Sequence, residues 1–367
     1  LRLKQRLARF ALVFWTAAIL VSAAYLPRVR IWLGEEPGGG WRLVLAVLLV
    51  GLTLAALALA LMENRNRVGP TLLRLTLPAV LGAVGLTLLA NPDPRSRFIE
   101  AAHLGEYGIL AVLAFLATAG QRSLLAQCGF SLAVIAAVGL VDESLQWLLP
   151  ARAAEIRDVA LNAHAGAIGL GYAVIVFGAS REVGALSLAE RERRDLLLAA
   201  ASGVLALGFF LHAVHRGHLI RWGEIEFVSM FPSSELERIA DERRARWAGL
   251  DAPGRERLLH PERRSWGIED FYATEALRHI QARNEASERG ETPSAAAENR
   301  LLERWYAPFL DATGARVYFE PEPDGGRYRS PALGHLWPWL TPFRLWVPVA
   351  ATAGALTAAA FRAGARG

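Results

Sequence analysis

Residues Ser123–Leu149 read SLLAQCGFSLAVIAAVGLVDESLQWLL. About 20 apolar residues in helical form, rising 1.5 Å each, are enough to cross the hydrocarbon core of a bilayer. This stretch has that length, and its first ionisable side chains are Asp142 and Glu143, close to its far end. Seven further segments have the same character, giving eight predicted spans at roughly 8–26, 42–62, 71–90, 104–120, 123–149, 158–179, 195–215 and 338–361. Arg74 interrupts the third of these and is expected to snorkel to the nearer interface. The predicted fold is therefore all-α: a polytopic helical membrane protein of about eight spans.

Composition agrees with that pattern. The 367 residues are 53% hydrophobic and 20% charged, against about 25% charged in an average soluble domain. Cys128 is the only cysteine, which excludes a disulfide scaffold. The hydrophobicity excludes intrinsic disorder. The formal net charge of +5 invites a nucleic-acid reading, but its distribution argues otherwise. Residues 216–336 hold 18 basic and 21 acidic side chains, net −3, so the remainder of the chain carries +8. Much of that excess flanks span ends, at Arg2, Lys4, Arg6 and Arg9, at Arg65 and Arg67, at Arg122, at Arg191, Arg193 and Arg194, and at Arg362 and Arg366. With eight spans all of these fall on one side, which the positive-inside rule makes cytoplasmic. Both termini are then expected in the cytoplasm and residues 216–336 outside it, with the lipid bilayer as partner and no nucleic acid.

Five regions follow: N-terminal spans over 1–90, a central membrane core over 91–179, a cytoplasmic loop and seventh span over 180–215, a mostly helical extracytoplasmic domain over 216–336, and a last span with its tail over 337–367. Within 216–336 the pattern predicts helices over Ser234–Ala248, Ile268–Ala286 and Ala296–Leu310, with their charges read as solvated faces. A flexible link is expected over 286–297, and a strand pair from 316–320 and 327–330.

Ionisable side chains inside a membrane are costly and mark functional sites. Three groups stand out. Glu100, His103 and Tyr107 fall within an arc of roughly 60° on one helix, with Glu106 beside them. Asp142, Glu143 and Gln146 close the fifth span and are followed by Arg152. Asp158 and Asn162 share an arc of roughly 80° with Gly166 and Gly169, so a polar pair leads into a surface that another backbone can approach closely. The catalytic candidates are Glu100, His103, Tyr107, Glu143 and Asp158, with a carboxylate as general base and His103 as its acid–base partner. The ligand-binding candidates are Gln146, Arg152 and Asn162, the arginine suited to a bidentate contact with an anionic headgroup. The competing explanation is a buried network that holds the fourth to sixth helices in register. One histidine among scattered acids assigns no metal, and no cofactor is assigned. His164, flanked by Ala163, Ala165 and Gly166, reads as a packed, hydrogen-bonded residue. His212, His215 and His218 do not share one helix face and read as interfacial.

The pattern E-x-x-H-x-x-E-Y-G from Glu100, D-E-x-x-Q from Asp142, and D-x-x-x-N-x-x-x-G-x-x-G from Asp158 resembles the VanZ-like family of integral membrane proteins. Pro150-Ala151-Arg152 stands where that family usually has Pro-Gly-Arg. The resemblance covers Glu100–Gly169 and implies a cell-envelope membrane protein of bacterial type. The family's name-giving member is associated with low-level resistance to the glycopeptide teicoplanin, which acts outside the membrane. No reaction follows from it. The leading expectation is an outward-facing polar site that binds, or also modifies, an envelope lipid or cell-wall-linked molecule. The alternative is an accessory subunit of a larger membrane complex.

Overall fold

The computed structural model describes residues 2–32, 41–89, 100–120, 122–148, 154–178, 188–251, 268–306 and 326–364. The chain divides into two compact units, one made of Leu1–Leu149, Ala153–Phe210 and Trp346–Gly367, the other of Pro150–Arg152 and Leu211–Leu345.

The first unit is a helical bundle: α1 (Arg2–Trp32), α2 (Trp41–Glu63), α3 (Val68–Leu89), α4 (Ala102–Ala117), α5 (Leu124–Leu148), α6 (Ile156–Phe177), α7 (Glu190–Phe210) and most of α11 (Pro342–Gly364). Among the described residues, seven helices are long and apolar enough to cross a membrane, and α4 is a shorter apolar helix of 16 residues. The eight predicted spans thus all appear as helices, but the fourth covers only about 24 Å of a core about 30 Å thick. Its shortness goes with burial. Tyr107, Leu110, Ala111, Ala114, Phe115 and Ala117 of α4 are all buried, and α4 packs most extensively against α6. The outer helices are the reverse: Leu48 and Val50 of α2 and Leu73 and Leu77 of α3 are exposed. Surfaces of this kind are stable in lipid, where every backbone polar group is satisfied within its own helix.

Small residues set the closest approach. A Cβ placed on Gly169 of α6 would lie 2.4 Å from the carbonyl oxygen of Gly108 on α4 and 2.5 Å from its Cα. The two backbones touch, as the small-residue surface on this helix predicts. Polar ties cross the bundle where lipid offers no competing water. Trp15 Nε1 donates to the Glu106 carbonyl at 2.9 Å, and Arg9 Nε to that of Ala117 at 3.1 Å. Tyr172 donates to the Ala56 carbonyl, and Glu192 of α7 accepts from the amide and hydroxyl of Ser123 at 2.8 and 2.9 Å. His164 is packed, as expected: its Nε2 lies 3.0 Å from the Leu81 carbonyl, and its ring fills the space beside Gly85.

In the second unit, a π-helical turn at Leu211–His215 leads into β1 (His218–Trp222), which forms an antiparallel hairpin with β2 (Ile225–Ser229). Gly223, at φ +57°, makes the two-residue turn. Helices α8 (Ser233–Ala248), α9 (Ile268–Glu288) and α10 (Thr292–Trp305) follow, and β3 (Tyr328–Arg329) joins β2 in parallel. The core combines Ile220, Ile225 and Phe227 with Leu236, Ile239, Tyr272, Ile280, Leu301 and Trp305. One expectation changes here. Residues 286–297 are a helix end, a tight turn through Gly290 at φ +72° and the start of α10, rather than a flexible link. Tyr328 and Arg329 form β3 and pair with β2, while the other half of the expected strand pair, 316–320, lies outside the described residues. The molecule is a largely helical multi-span membrane protein with a helical region before its final span.

Candidate functional site

The site grows from the ends of α4, α5 and α6. Helix α6 begins at Ile156 with Asp158 in its first turn, where the helix dipole favours a carboxylate. Arg157 precedes it and turns toward α4. Its Nη2 lies 2.9 Å from Glu100 Oε1 and 3.2 Å from Asp158 Oδ1, and its Nε 3.6 Å from Glu155 Oε2. One guanidinium therefore gathers two of the predicted site carboxylates. Sequence reasoning passed over Arg157. The cue was an arginine beside an acid at a helix start, facing a span that opens on Glu100. The predicted arginine, Arg152, lies outside the described residues.

Deeper in the bundle the polar groups are fully enclosed. Tyr107 is 0% exposed and donates its hydroxyl proton to Asp142 Oδ2 at 3.0 Å. On α5, Gln146 Nε2 donates to Glu143 Oε1 at 3.1 Å, and both side chains are buried. His103 sits toward the rim, with Nδ1 3.7 Å from Glu106 Oε2 and its ring centroid 6.1 Å from that of Tyr107. Asn162 is 0% exposed. A Cβ built on Gly139 of α5 would lie 3.4 Å from Asn162 Cβ, 3.8 Å from its Nδ2 and 3.7 Å from Tyr107 Cε1. Gly139 thus lets α6 and the Tyr107 ring close in one turn before Asp142. Arg157 thus joins the predicted Glu100 and Asp158 in one cluster, Tyr107, Asp142 and Asn162 form a second, and Glu143 with Gln146 a third on the same face of α5. Such a face can offer several hydrogen bonds to a polar group drawn into the bundle, in surroundings that strengthen each one. Among the described residues, no group of three or more His, Cys, Asp or Glu side chains is placed to hold a metal ion.

A further polar cluster lies inside the second unit, where solvated helix faces were expected. Glu275, His279 and Arg283 follow one another at four-residue spacing on α9, and all are 0% exposed, as is Glu298 on α10. Glu275 accepts hydrogen bonds from the Ser229 hydroxyl, the Met230 amide and the Tyr306 hydroxyl. Glu298 lies 2.8 Å from His279 Nδ1 and accepts from Tyr328 and Ser330. Burial pushes the Glu275 carboxyl up, against the lowering effect of its donors. These contacts fasten β2 and β3 to the helices. The signal was the spacing itself, since 275, 279 and 283 share the face of Tyr272, Ala276 and Ile280. The charges masked it. The three histidines at 212, 215 and 218 part company, with His215 buried, stacked on Trp337 at 4.7 Å and 2.8 Å from the His335 carbonyl.

The bundle defines the class: a multi-span helical membrane protein whose polar side chains converge between α4, α5 and α6. Residues 42–177 match the VanZ/LLP1 family model, and this matched part of the chain contains every motif residue from Glu100 to Gly169. No curated protein and no solved structure matches the chain.

Proposed function

We propose that the polar face of α4, α5 and α6 is an outward-facing site that binds an envelope lipid or cell-wall-linked molecule. The observation carrying this reading is the convergence of Tyr107, Asp142, Glu143, Gln146 and Asn162, all buried, inside a bundle whose outer helices are apolar. Burying so many polar groups within a membrane is costly, and such residues there mark ligand or ion sites. The protein sits in the cytoplasmic membrane of a bacterium, with both termini inside and residues 216–336 outside. Arg157 organises Glu100 and Asp158 at the mouth of the site. Where the bound molecule is also modified, Glu143 serves as base and His103, at the rim, as proton carrier.

The test is purification of the full chain from its native membrane, with mass-spectrometric identification of every lipid and protein that elutes with it. A discrete envelope molecule is expected with the wild type, and its loss from Glu143→Ala and Asp158→Asn proteins that still accumulate. Disappearance of these variants from the membrane instead marks the polar face as a structural network. A stoichiometric set of other membrane proteins marks the chain as an accessory subunit.

A further inference from the structure

Asn162 is a residue of this site with hydrogen-bonding capacity to spare at both ends of its carboxamide. It is wholly buried, and among the described residues neither its Oδ1 nor its Nδ2 has a hydrogen-bond partner. Around it, the Tyr107 hydroxyl is on Asp142, Gln146 is on Glu143, and Arg157 holds Glu100 and Asp158. Asn162 Nδ2 lies 3.8 Å, and Tyr107 Cε1 3.7 Å, from a Cβ built on Gly139, one helical turn from Asp142 and Glu143. The carboxamide presents an acceptor and a donor side by side, and a buried donor or acceptor left unfilled is costly.

What fills both is restricted by chemistry. An anionic group offers acceptors only and leaves Oδ1 bare. An ammonium offers donors only and leaves Nδ2 bare. A trans secondary amide directs its N–H and C=O to opposite sides, so one face of it fills one atom of Asn162. Two hydroxyls on adjacent carbons each donate and accept, at a separation that matches the carboxamide edge. The geometry points to Asn162 as the contact that recognises the bound molecule of the polar site, and to a neutral vicinal diol, as in a glycosyl or glyceryl headgroup, as the group it recognises. This inference rests on the proposed binding role of the α4–α6 face and adds the chemistry of the ligand. The same diol is carried by a glycolipid or by a free sugar, and the two are separable.

The experiment uses the full chain in a polyoxyethylene detergent, because sugar-based detergents themselves carry vicinal diols. The unfolding midpoint is measured with monoglucosyl-diacylglycerol, with diacylglycerol and with free glucose. A rise with the glucosyl lipid and none with diacylglycerol is expected, lost in Asn162→Leu, whose side chain has nearly the same volume. A rise with glucose alone identifies a water-soluble source of the same diol. If the Leu variant does not accumulate, Asn162→Ala takes its place. No rise with either diol probe overturns the inference, as does an equal rise in wild type and Asn162 variants. A rise that survives in Asn162→Leu and is lost in Asp142→Asn keeps the binding face and removes Asn162 from it. A co-purifying envelope molecule without a diol does the same for the ligand class.

Discussion

Arg157 is shared by Glu100, Glu155 and Asp158, so its removal leaves several carboxylates at the mouth of the bundle without their common cation. Arg157→Ala is expected to destabilise the bundle by about 1–3 kcal/mol, the cost of stranding charged partners at a half-buried position. Arg157→Lys should recover less than half, because a point charge cannot reproduce the fork. Thermal unfolding of the purified variants checks both. A double-mutant cycle with Glu100→Gln should give a coupling energy clearly above the experimental scatter, whereas independent effects would mean that the 2.9 Å pair contributes nothing. The acids of this cluster were legible in the sequence because acids do not belong in spans. Their arginine was not, since an arginine at a span end has a topological explanation already to hand.

At the scale of elements, the α4–α6 crossing depends on Gly169, which lies against the backbone of Gly108. Gly169→Ala places a methyl group within 2.4 Å of backbone, where no flexible side chain can yield. The helices must separate, and about 1–3 kcal/mol of destabilisation is expected for this one carbon. Gly203→Ala on α7, where a Cβ meets nothing within 4 Å, should be neutral or slightly stabilising through helix propensity. Unfolding midpoints in detergent distinguish the two, and equal effects would contradict the packing. The hairpin β1–β2 is a different lesson. Its residues 218–222 and 225–229 around Gly223 carry only a short strand signal directly after a span, from which no element is predicted. Periodicity of two over five residues is weak beside a long apolar helix upstream. The glutamates, histidine and arginine of α9 and α10 misled for a related reason: charge predicts solvent unless the partners that bury it are known.

For the whole molecule, two measurements bear on sidedness and on the second unit. Cys128 is the sole thiol and lies within α5. In the Cys128→Ala background, Glu242→Cys should react with a membrane-impermeant maleimide in intact cells and Arg193→Cys only after permeabilisation. The reverse pattern would invert the topology. In the second unit, burial, with His215 and Arg278 nearby, pushes the His335 imidazole down from 6.5 to about 4. His218 is lowered too, by burial and Arg216. A group whose folded pKa is depressed contributes stability that is complete above its unfolded value and lost as pH falls through the folded one. The His335 contribution should therefore be present above about 6.5 and decline toward pH 4. The unfolding midpoint should fall over that window, and His335→Asn should flatten the decline. An unchanged slope in the variant would show that His335 does not drive it.

The sequence by itself determined the membrane architecture, the VanZ-like motif from Glu100 to Gly169, and most of the polar residues of the candidate site. Long apolar runs and the cost of charge in lipid are local properties, readable one segment at a time. The tertiary structure decided which of those residues meet. It gave Glu100 and Asp158 a common arginine, set Tyr107 on Asp142, enclosed Asn162 beside Gly139, and buried the charged face of α9. Each of these depends on the rotation and closeness of helices distant in sequence, which glycine contacts and side-chain volumes settle only once the bundle has formed.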